Sequence, residues 1–494
     1  MFTDANDKEI DKALKDAWQA FHIYRDHPLE GREKFMQTIA SEVEALGDKL
    51  IETAMNETNL PAARLLNERA RTIFQLNSYG KACKEGNWLE ARIDTAVNDR
   101  TPPKPDIRKS LTALGPVVVF GASNFPFAYS TAGGDTACAF AAGCPVIVKA
   151  HPAHAETSEL VATAIRAAVK KCNLPEGIFS HIHGASAEVG KALVTHPNTR
   201  AVGFTGSFAG GKALFDWANQ RAQPIPVFAE MGSVNPVFIL PGKLSTSPED
   251  LAKSLAASIT LGTGQFCTNP GLIIGLHSEA LVKFINALGE EVKKISPSLM
   301  LHPGIAKSYH EKRGNALRQE EVTLVAEAIK GIDENYGDAA IATTTAAAFL
   351  KNPLLHQEVF GPYSLVISCR DGEEMHAVAR NMEGQLTTSV MANENDLRSN
   401  DQLLNSLRNI CGRMILNNVP TGVEVCLAMQ HGGPFPATTD SRFTSVGADG
   451  IKRFARPVCY QNWDNNFLPD ELKNENPLNI WRTINNQLSK EKVS

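Results

Sequence analysis

Apolar positions in the first hundred residues recur at helical spacing. Ile10, Leu14, Trp18 and Phe21 form one stripe, and Phe35, Ile39, Val43 and Leu50 form another, with Pro28 and Gly31 between them. Such spacing predicts amphipathic helices with one face packed on a core. Three prolines then crowd 101–105, and 107–114 reads as an extended arm. From Pro116 the period changes. Short apolar runs at 116–120, 145–148, 178–182, 201–204 and 225–228 predict buried strands, separated by helical segments at 129–142 and 155–172. Strands alternating with helices predict right-handed crossovers and a parallel sheet. The alternation resumes after Glu230, with strands at 235–240 and 272–276 around a helix at 250–261, and continues to about Leu427.

This pattern divides the chain into three parts. Residues 1–230 make an N-terminal helical layer and a nucleotide-type α/β domain, with the arm at about 101–114; 231–430 make a second α/β domain; 431–494 return and end in a polar tail. The tail from Tyr460 is Asn-rich with few apolar anchors, so it is expected to be either frayed or pinned on a partner subunit. A chain of 494 residues exceeds what one core supports, which agrees with at least two domains. Lys and Arg number 49 against 54 Asp and Glu, so no basic excess draws the protein to nucleic acid. The stretch between Lys109 and Lys149 carries a single formal charge, but its many Gly and Pro residues indicate strand, turn and buried helix, so no membrane association is expected. Nine cysteines without a CxxC pair, and no signal-peptide pattern after Met1, predict free thiols in the cytoplasm.

Five segments carry candidate chemistry. Cys267 ends Gly262-Thr263-Gly264-Gln265-Phe266-Cys267, a glycine-loosened turn between helix and strand where a nucleophile can face a cleft. Among nine cysteines, one such thiol is by itself more often merely buried. Glu230 ends an apolar strand, where a carboxylate needs a partner or a task; general base for water, with its pKa raised by burial, is one. Asn124, in Ser123-Asn124-Phe125-Pro126, offers an amide donor to an oxyanion, or else merely an Asx turn. Phe204-Thr205-Gly206-Ser207 with Gly211 reads as a strand, a turn and a helix start that can take a phosphate. In Glu358-Val359-Phe360-Gly361-Pro362, Glu358 can bond ribose hydroxyls and Phe360 can pack on a flat ring.

Taken together and in order, these motifs resemble the aldehyde dehydrogenase superfamily over about 115–457. The segments Lys149-Ala150-His151-Pro152-Ala153-His154, Pro420-Thr421-Gly422-Val423-Glu424-Val425 and Gln430-His431-Gly432-Gly433-Pro434 resemble most its α-ketoglutaric semialdehyde (2,5-dioxovalerate) dehydrogenase branch, which includes a bacterial fatty aldehyde dehydrogenase. The resemblance implies a Rossmann-type parallel-sheet cofactor domain, an α/β catalytic domain and an oligomerisation arm, with arm and tail paired across the subunits of a homodimer or homotetramer. It implies that Cys267 attacks an aldehyde, that Asn124 and the Cys267 N–H hold the oxyanion, that hydride leaves to NAD(P), and that Glu230 activates water to hydrolyse the thioester. His431 borders the site, as proton acceptor for the thiol or as a structural histidine.

Lys149, His151 and Pro152 bear on the cofactor. An acidic residue at the position of Pro152 would hold both ribose hydroxyls; its absence beside Lys149, His151 and His154 leans towards NADP, with NAD possible. No Cys or acid stands at ligand spacing from the two histidines, so no metal is expected. Glu230-Met231-Gly232-Ser233-Val234 departs from the family's Glu-Leu-Gly-Gly-Lys, and Ser123 replaces a tryptophan. No arginine is evident for a substrate carboxylate, so a long-chain aldehyde remains an alternative. A cofactor-independent cysteine hydrolase and an inactive homologue are the alternatives of other classes.

Overall fold

A computed structural model describes residues 2–493. Four helices open the chain, Asp7–Tyr24, Leu29–Ala45, Gly47–Thr58 and Ala62–Glu85. The first starts sharply because Asn6 and Glu9 form a reciprocal capping box. Five parallel strands follow in the spatial order Phe179–Ile182, Val146–Lys149, Val117–Phe120, Ala201–Thr205, Val227–Glu230. Alternation within the central strand sorts its two faces. Val117 and Val119 pack with Phe35, Ile39 and Phe140, whereas Val118 packs with Ile10, Leu14 and Ala17 of the first helix. Each fully buried aliphatic side chain of this kind contributes about 1.5–3 kcal/mol. The chain order reverses direction at the central strand, and ligands of such sheets sit at the carboxyl ends there.

The second sheet has seven strands, ordered Thr323–Glu327, Ala340–Thr345, Tyr363–Cys369, Leu272–Leu276, Val237–Ile239, Gln385–Met391, Cys411–Leu416. Only the first pair is antiparallel. The fold is therefore the mixed α/β architecture expected from the alternation, with one refinement. The helix expected at 129–142 begins only at Gly134. A Cβ on Gly133 would stand 2.6 Å from the Ala128 carbonyl oxygen, so 129–133 turns tightly instead of winding into the helix.

The third sheet places the arm and the tail. Strand Ile107–Ala113 pairs on one edge with Ala455–Gln461 and on the other with Arg92–Asp94, and the latter pairs with Arg482–Ile484 from the tail. Arm and tail thus satisfy each other within one chain. The tail is neither frayed nor dependent on a partner for its pairing, because Leu468, Leu472 and Ile480 are buried against the core and Arg482 donates to the carbonyls of Asn474 and Glu491. Between the second and third sheets, residues 431–445 return to the first domain, where Thr438 bridges to Glu230 at the end of its strand.

Candidate active site

Glu230 is fixed by its strand, whose last residue pairs with Thr205. Cys267 is fixed by an unusual turn. Gly262, Thr263 and Gly264 all have left-handed backbones, φ +53°, +58° and +65°. At Gly264 only glycine fits, because a Cβ would meet the Gly361 carbonyl carbon at 2.3 Å. The thiol loop therefore lies directly on the loop that carries Glu358 and Phe360.

Beyond the thiol, buried Asn235 donates from Nδ2 to the carbonyls of Cys267 (2.8 Å) and Asn269 (2.9 Å). Its Oδ1 accepts from Thr387 and lies 3.0 Å from Ser233 Oγ, whose single proton it shares with Gln385 Oε1 at 2.9 Å; the latter also accepts from the Val234 N–H. Ser233, where the family pattern has glycine, is thus a tie between strands, and its hydroxyl also accepts from the Leu386 N–H. Gln385, Asn235 and Arg64 were missed in the sequence because their partners lie far away in the chain. Arg64 donates to the Asn124 carbonyl at 2.6 Å and stacks between Phe125 and Phe266 at 5.1 and 4.8 Å.

Three reactive groups converge. Cys267 Sγ lies 3.5 Å from His431 Nε2, and the same nitrogen lies 3.2 Å from Glu230 Oε1. One ligating atom from each of the three residues falls within 4.8 Å of the others. Ser445 Oγ donates to Glu230 Oε2 at 2.6 Å, and the His431 N–H donates to Thr444 Oγ1 at 2.9 Å. Asn124 Nδ2 donates to the Gln265 carbonyl at 3.2 Å, two residues before the thiol. Burial and the negative charge of Glu230 push the Cys267 thiol well up, against an opposing pull from Arg71. The expectation for Glu230 is corrected. Burial alone would raise its carboxyl, but His431, with hydrogen bonds from His431, Ser445 and Cys267, outweighs burial and holds it below the ordinary value.

The other motif residues form a second group. Glu358 and Phe360 line one cleft with Ser233 and Phe266 beside the thiol loop. Burial pushes Glu358 up to about 7, with Lys312 opposing, and its one backbone contact is Ser233 N at 3.4 Å. Ser207 caps helix Phe208–Asn219 by accepting from the Gly210 N–H, while the Gly206 N–H is spent on the Glu230 carbonyl. Gly211 is a packing glycine, since a Cβ there would lie 2.6 Å from Met231 Cγ. Lys149 ends its strand. His151 caps the turn Pro152–His154 by accepting from the Ala153 N–H, and His154 bonds the Ala122 carbonyl at 2.8 Å. Burial pushes both histidines down, His151 far down, so they are neutral at pH 7 and do not supply the positive charge expected of them. Asp4, accepting from the Ala185 and Ser186 N–H groups, is near enough for its charge to act on Lys149. Glu159, His181 and His183 also cluster, but as hydrogen bonds, with Glu159 Oε2 at 2.9 Å from His181 and 3.0 Å from His183.

Comparison with known proteins gives the same picture. The model of the Aldehyde dehydrogenase family matches residues 1–443. Alpha-ketoglutaric semialdehyde dehydrogenase 2 of Azospirillum brasilense is 47% identical over 483 residues, covering 98% of this chain and 92% of its own. Alpha-ketoglutaric semialdehyde dehydrogenase of Acinetobacter baylyi is 45% identical over 491 residues, covering 99% and 93%. In fold, the chain is similar to the glyceraldehyde-3-phosphate dehydrogenase GapN of Methanocaldococcus jannaschii, solved with NADP, at TM-score 0.77 and 19% identity over 93% of this chain and 95% of that one. A Thermus thermophilus 1-pyrroline-5-carboxylate dehydrogenase mutant gives 0.77 and 21% over 93% and 86%.

Proposed function

Since the chain belongs to the aldehyde dehydrogenase family, we propose that it oxidises α-ketoglutaric semialdehyde to 2-oxoglutarate through a thioester on Cys267. The observation that carries the reading is the convergence of Cys267 Sγ, His431 Nε2 and the Glu230 carboxylate. The substrate follows from what the Azospirillum and Acinetobacter relatives are named for.

In the resting site the thiol keeps its proton, because burial and Glu230 both oppose the thiolate. Attack on the aldehyde carbon therefore needs a proton acceptor, and we assign that role to His431 Nε2, 3.5 Å from Sγ; once it has taken the proton it donates to Glu230 Oε1 at 3.2 Å. As the C–S bond forms, the carbonyl oxygen becomes an oxyanion. The donors we assign to it are the Cys267 N–H and the Asn124 amide, which must first leave the Gln265 carbonyl. A bound NAD(P) would supply the acceptor for the hydride leaving that carbon, the two-electron oxidation by which the adduct becomes a thioester. Glu230 then takes a proton from water, which attacks the thioester and frees the acid. Ser445 and His431 hold that carboxylate ionised and ready to accept.

The residues fit a dinucleotide. Glu358 is a buried carboxyl with little hydrogen bonding of its own, as a holder of ribose hydroxyls needs to be, and Phe360 stands beside it. The capped start of helix Phe208–Asn219 suits a phosphate. We take the cofactor as NADP on Lys149 and the missing carboxylate at Pro152, with Asp4 the one nearby charge that favours NAD. Free thiols support a cytoplasmic location. The open edges at Ala455–Gln461 and Cys411–Leu416, the latter with exposed Met414 and Leu416, support a homo-oligomer; light scattering after gel filtration measures its size.

The test is nicotinamide reduction by wild type and Cys267→Ala with α-ketoglutaric semialdehyde, NADP and NAD being supplied in turn. Turnover that vanishes in the variant supports the reading, and the ratio of the two rates reads the cofactor. No reduction under any condition overturns it.

A further inference from the structure

The fully buried arginines of the described chain each hold at least one acceptor, although Arg32 Nε and Arg482 Nε are shielded without one. Arg453 pairs with Asp135 at 2.7 Å, Arg108 with Asp106 at 2.9 Å, and Arg32 donates to the Ala141 and Arg25 carbonyls. Arg71 differs. It projects from helix Ala62–Glu85, and its Nε and Nη2 are shielded from solvent with no acceptor among the described residues. A shielded charged donor without an acceptor is costly, so each such group in a folded protein calls for an explanation.

The surroundings supply one. The Arg71 guanidinium lies 5.9 Å from the centre of the Tyr129 ring, and its charge acts on the Cys267 thiol. Arg413 approaches from the edge strand Cys411–Leu416. Its Nη1 and Nη2 hold the carbonyls of Gly422 and Pro420, while its Nε is shielded and unpaired. Tyr129 lies 5.3 Å from the Phe125 ring, which lies 5.8 Å from Phe266, the residue before Cys267. Arg413 Nη1 also lies 3.9 Å from Met429 Sδ, two residues before His431. Two guanidinium groups from distant parts of the chain thus border the segments that carry the thiol and the histidine. Glu68 is a nearby carboxylate on the helix of Arg71; its Oε1 accepts from the Phe127 and Ala128 N–H groups, and its Oε2 is shielded and makes no hydrogen bond to Arg71 among the described residues, although the charges of Arg64 and Arg71 act on it.

We propose that Arg71 and Arg413 form an anion subsite at the far end of the aldehyde pocket, which takes the carboxylate of a short oxo-acid aldehyde against the Tyr129 ring. The inference rests on Cys267 being the nucleophile that meets the aldehyde. A carboxylate presents two oxygens to fork-shaped donors, so a charged tail is bound in one orientation with the aldehyde at Sγ. A neutral alkyl chain leaves the same N–H groups shielded and unpaired, so the site discriminates against long-chain aldehydes.

The experiment compares 5-oxopentanoate with pentanal, equal in chain length, in wild type, Arg71→Met, Arg71→Lys and Arg413→Met. Wild type is expected to favour the acid in kcat/KM. Arg71→Met lowers that preference by about 10- to 100-fold, the worth of one charge-assisted hydrogen bond, mainly through the KM of the acid. Arg71→Lys keeps part of it, and Arg413→Met loses less than Arg71→Met. A preference in Arg71→Met within twofold of wild type overturns the proposal. Should the variants fail to fold, arginine modification of wild type by phenylglyoxal, mapped by mass spectrometry, replaces them. Glutarate is expected to protect Arg71, and equal labelling with and without it overturns the subsite. Failure of the subsite is separable from failure of the dehydrogenase reading, because in the latter case wild type reduces nicotinamide with neither aldehyde.

Discussion

Glu230→Gln separates the two things a carboxylate beside a thiol does. It opposes the thiolate, and it serves as base for water. The substitution keeps the size of the side chain and removes its charge. The carboxylate and Sγ lie within 4.8 Å. Two unit charges at that separation repel by roughly 3.5 kcal/mol at an effective dielectric of about 20, and by roughly 0.9 kcal/mol in water. At about 1.4 kcal/mol per pKa unit, the thiol should titrate roughly 0.6 to 2.5 units lower in the variant. The assay is the rate of Cys267 alkylation by iodoacetamide across pH, with the labelled peptide identified by mass spectrometry. In parallel, the first turnover should still release reduced nicotinamide as a burst, while steady-state oxidation falls by about 100-fold or more for want of a base. An alkylation midpoint that stays put or moves up refutes the electrostatic argument. Loss of the burst together with turnover refutes the assignment of Glu230 to deacylation.

Three further outcomes are expected. Arg453→Met strands Asp135 in the core, where the pair is 2.7 Å apart and both groups are buried; the cost of about 3–5 kcal/mol should lower Tm by about 6 °C or more in a thermal scan. Gly264→Ala forces a methyl to within 2.3 Å of the Gly361 backbone at a φ of +65°; kcat should fall by more than about 10-fold with the circular dichroism spectrum retained, since the displacement falls on the nucleophile loop. Glu159 is held below the ordinary carboxylate value by hydrogen bonds from His181 first and then Arg166 and His183, against burial. A carboxylate depressed by folding stabilises above its unfolded pKa of about 4.3 and loses that contribution as pH falls below it, so the Tm gap between wild type and Glu159→Gln should narrow on acidification and not stay constant.

The strands and helices of the first domain were legible because their signals are local. Val117, Val118 and Val119 form an apolar run, and Leu160, Val161, Ile165 and Val169 fall at helical spacing. The helix beginning at Gly134 was less legible, since the tight turn before it depends on the Ala128 carbonyl. Cys267, Glu230 and His431 were legible as motif residues, but their distances were not, because His431 lies 164 residues beyond Cys267 and 201 beyond Glu230, and the segments meet only through the fold. The pKa of Glu230 went the other way from expectation because His431, not burial, decides it. Arg71 had a faint signal. Glu68, Thr72 and Gln75 are polar on the buried face of their helix, with Arg64 and Arg71 beside them. A helix that buries polar groups where leucine would do is serving something other than its own stability. The partners of the arm within the chain, Arg92–Asp94 and Ala455–Gln461, were not legible, because strand pairing within a chain and between chains leaves the same trace in sequence, an alternating segment in need of an edge.

The order of the chain has a consequence for biosynthesis. His431 follows Cys267 by 164 residues. At about 5–20 residues added per second, a ribosome needs roughly 8–30 s to cover that distance. During this interval the chain carries the thiol without the histidine and Ser445 that complete its surroundings, and the strand Ala455–Gln461 does not yet exist. Until His431 is added, the growing chain lacks the proton acceptor that its own thiol needs.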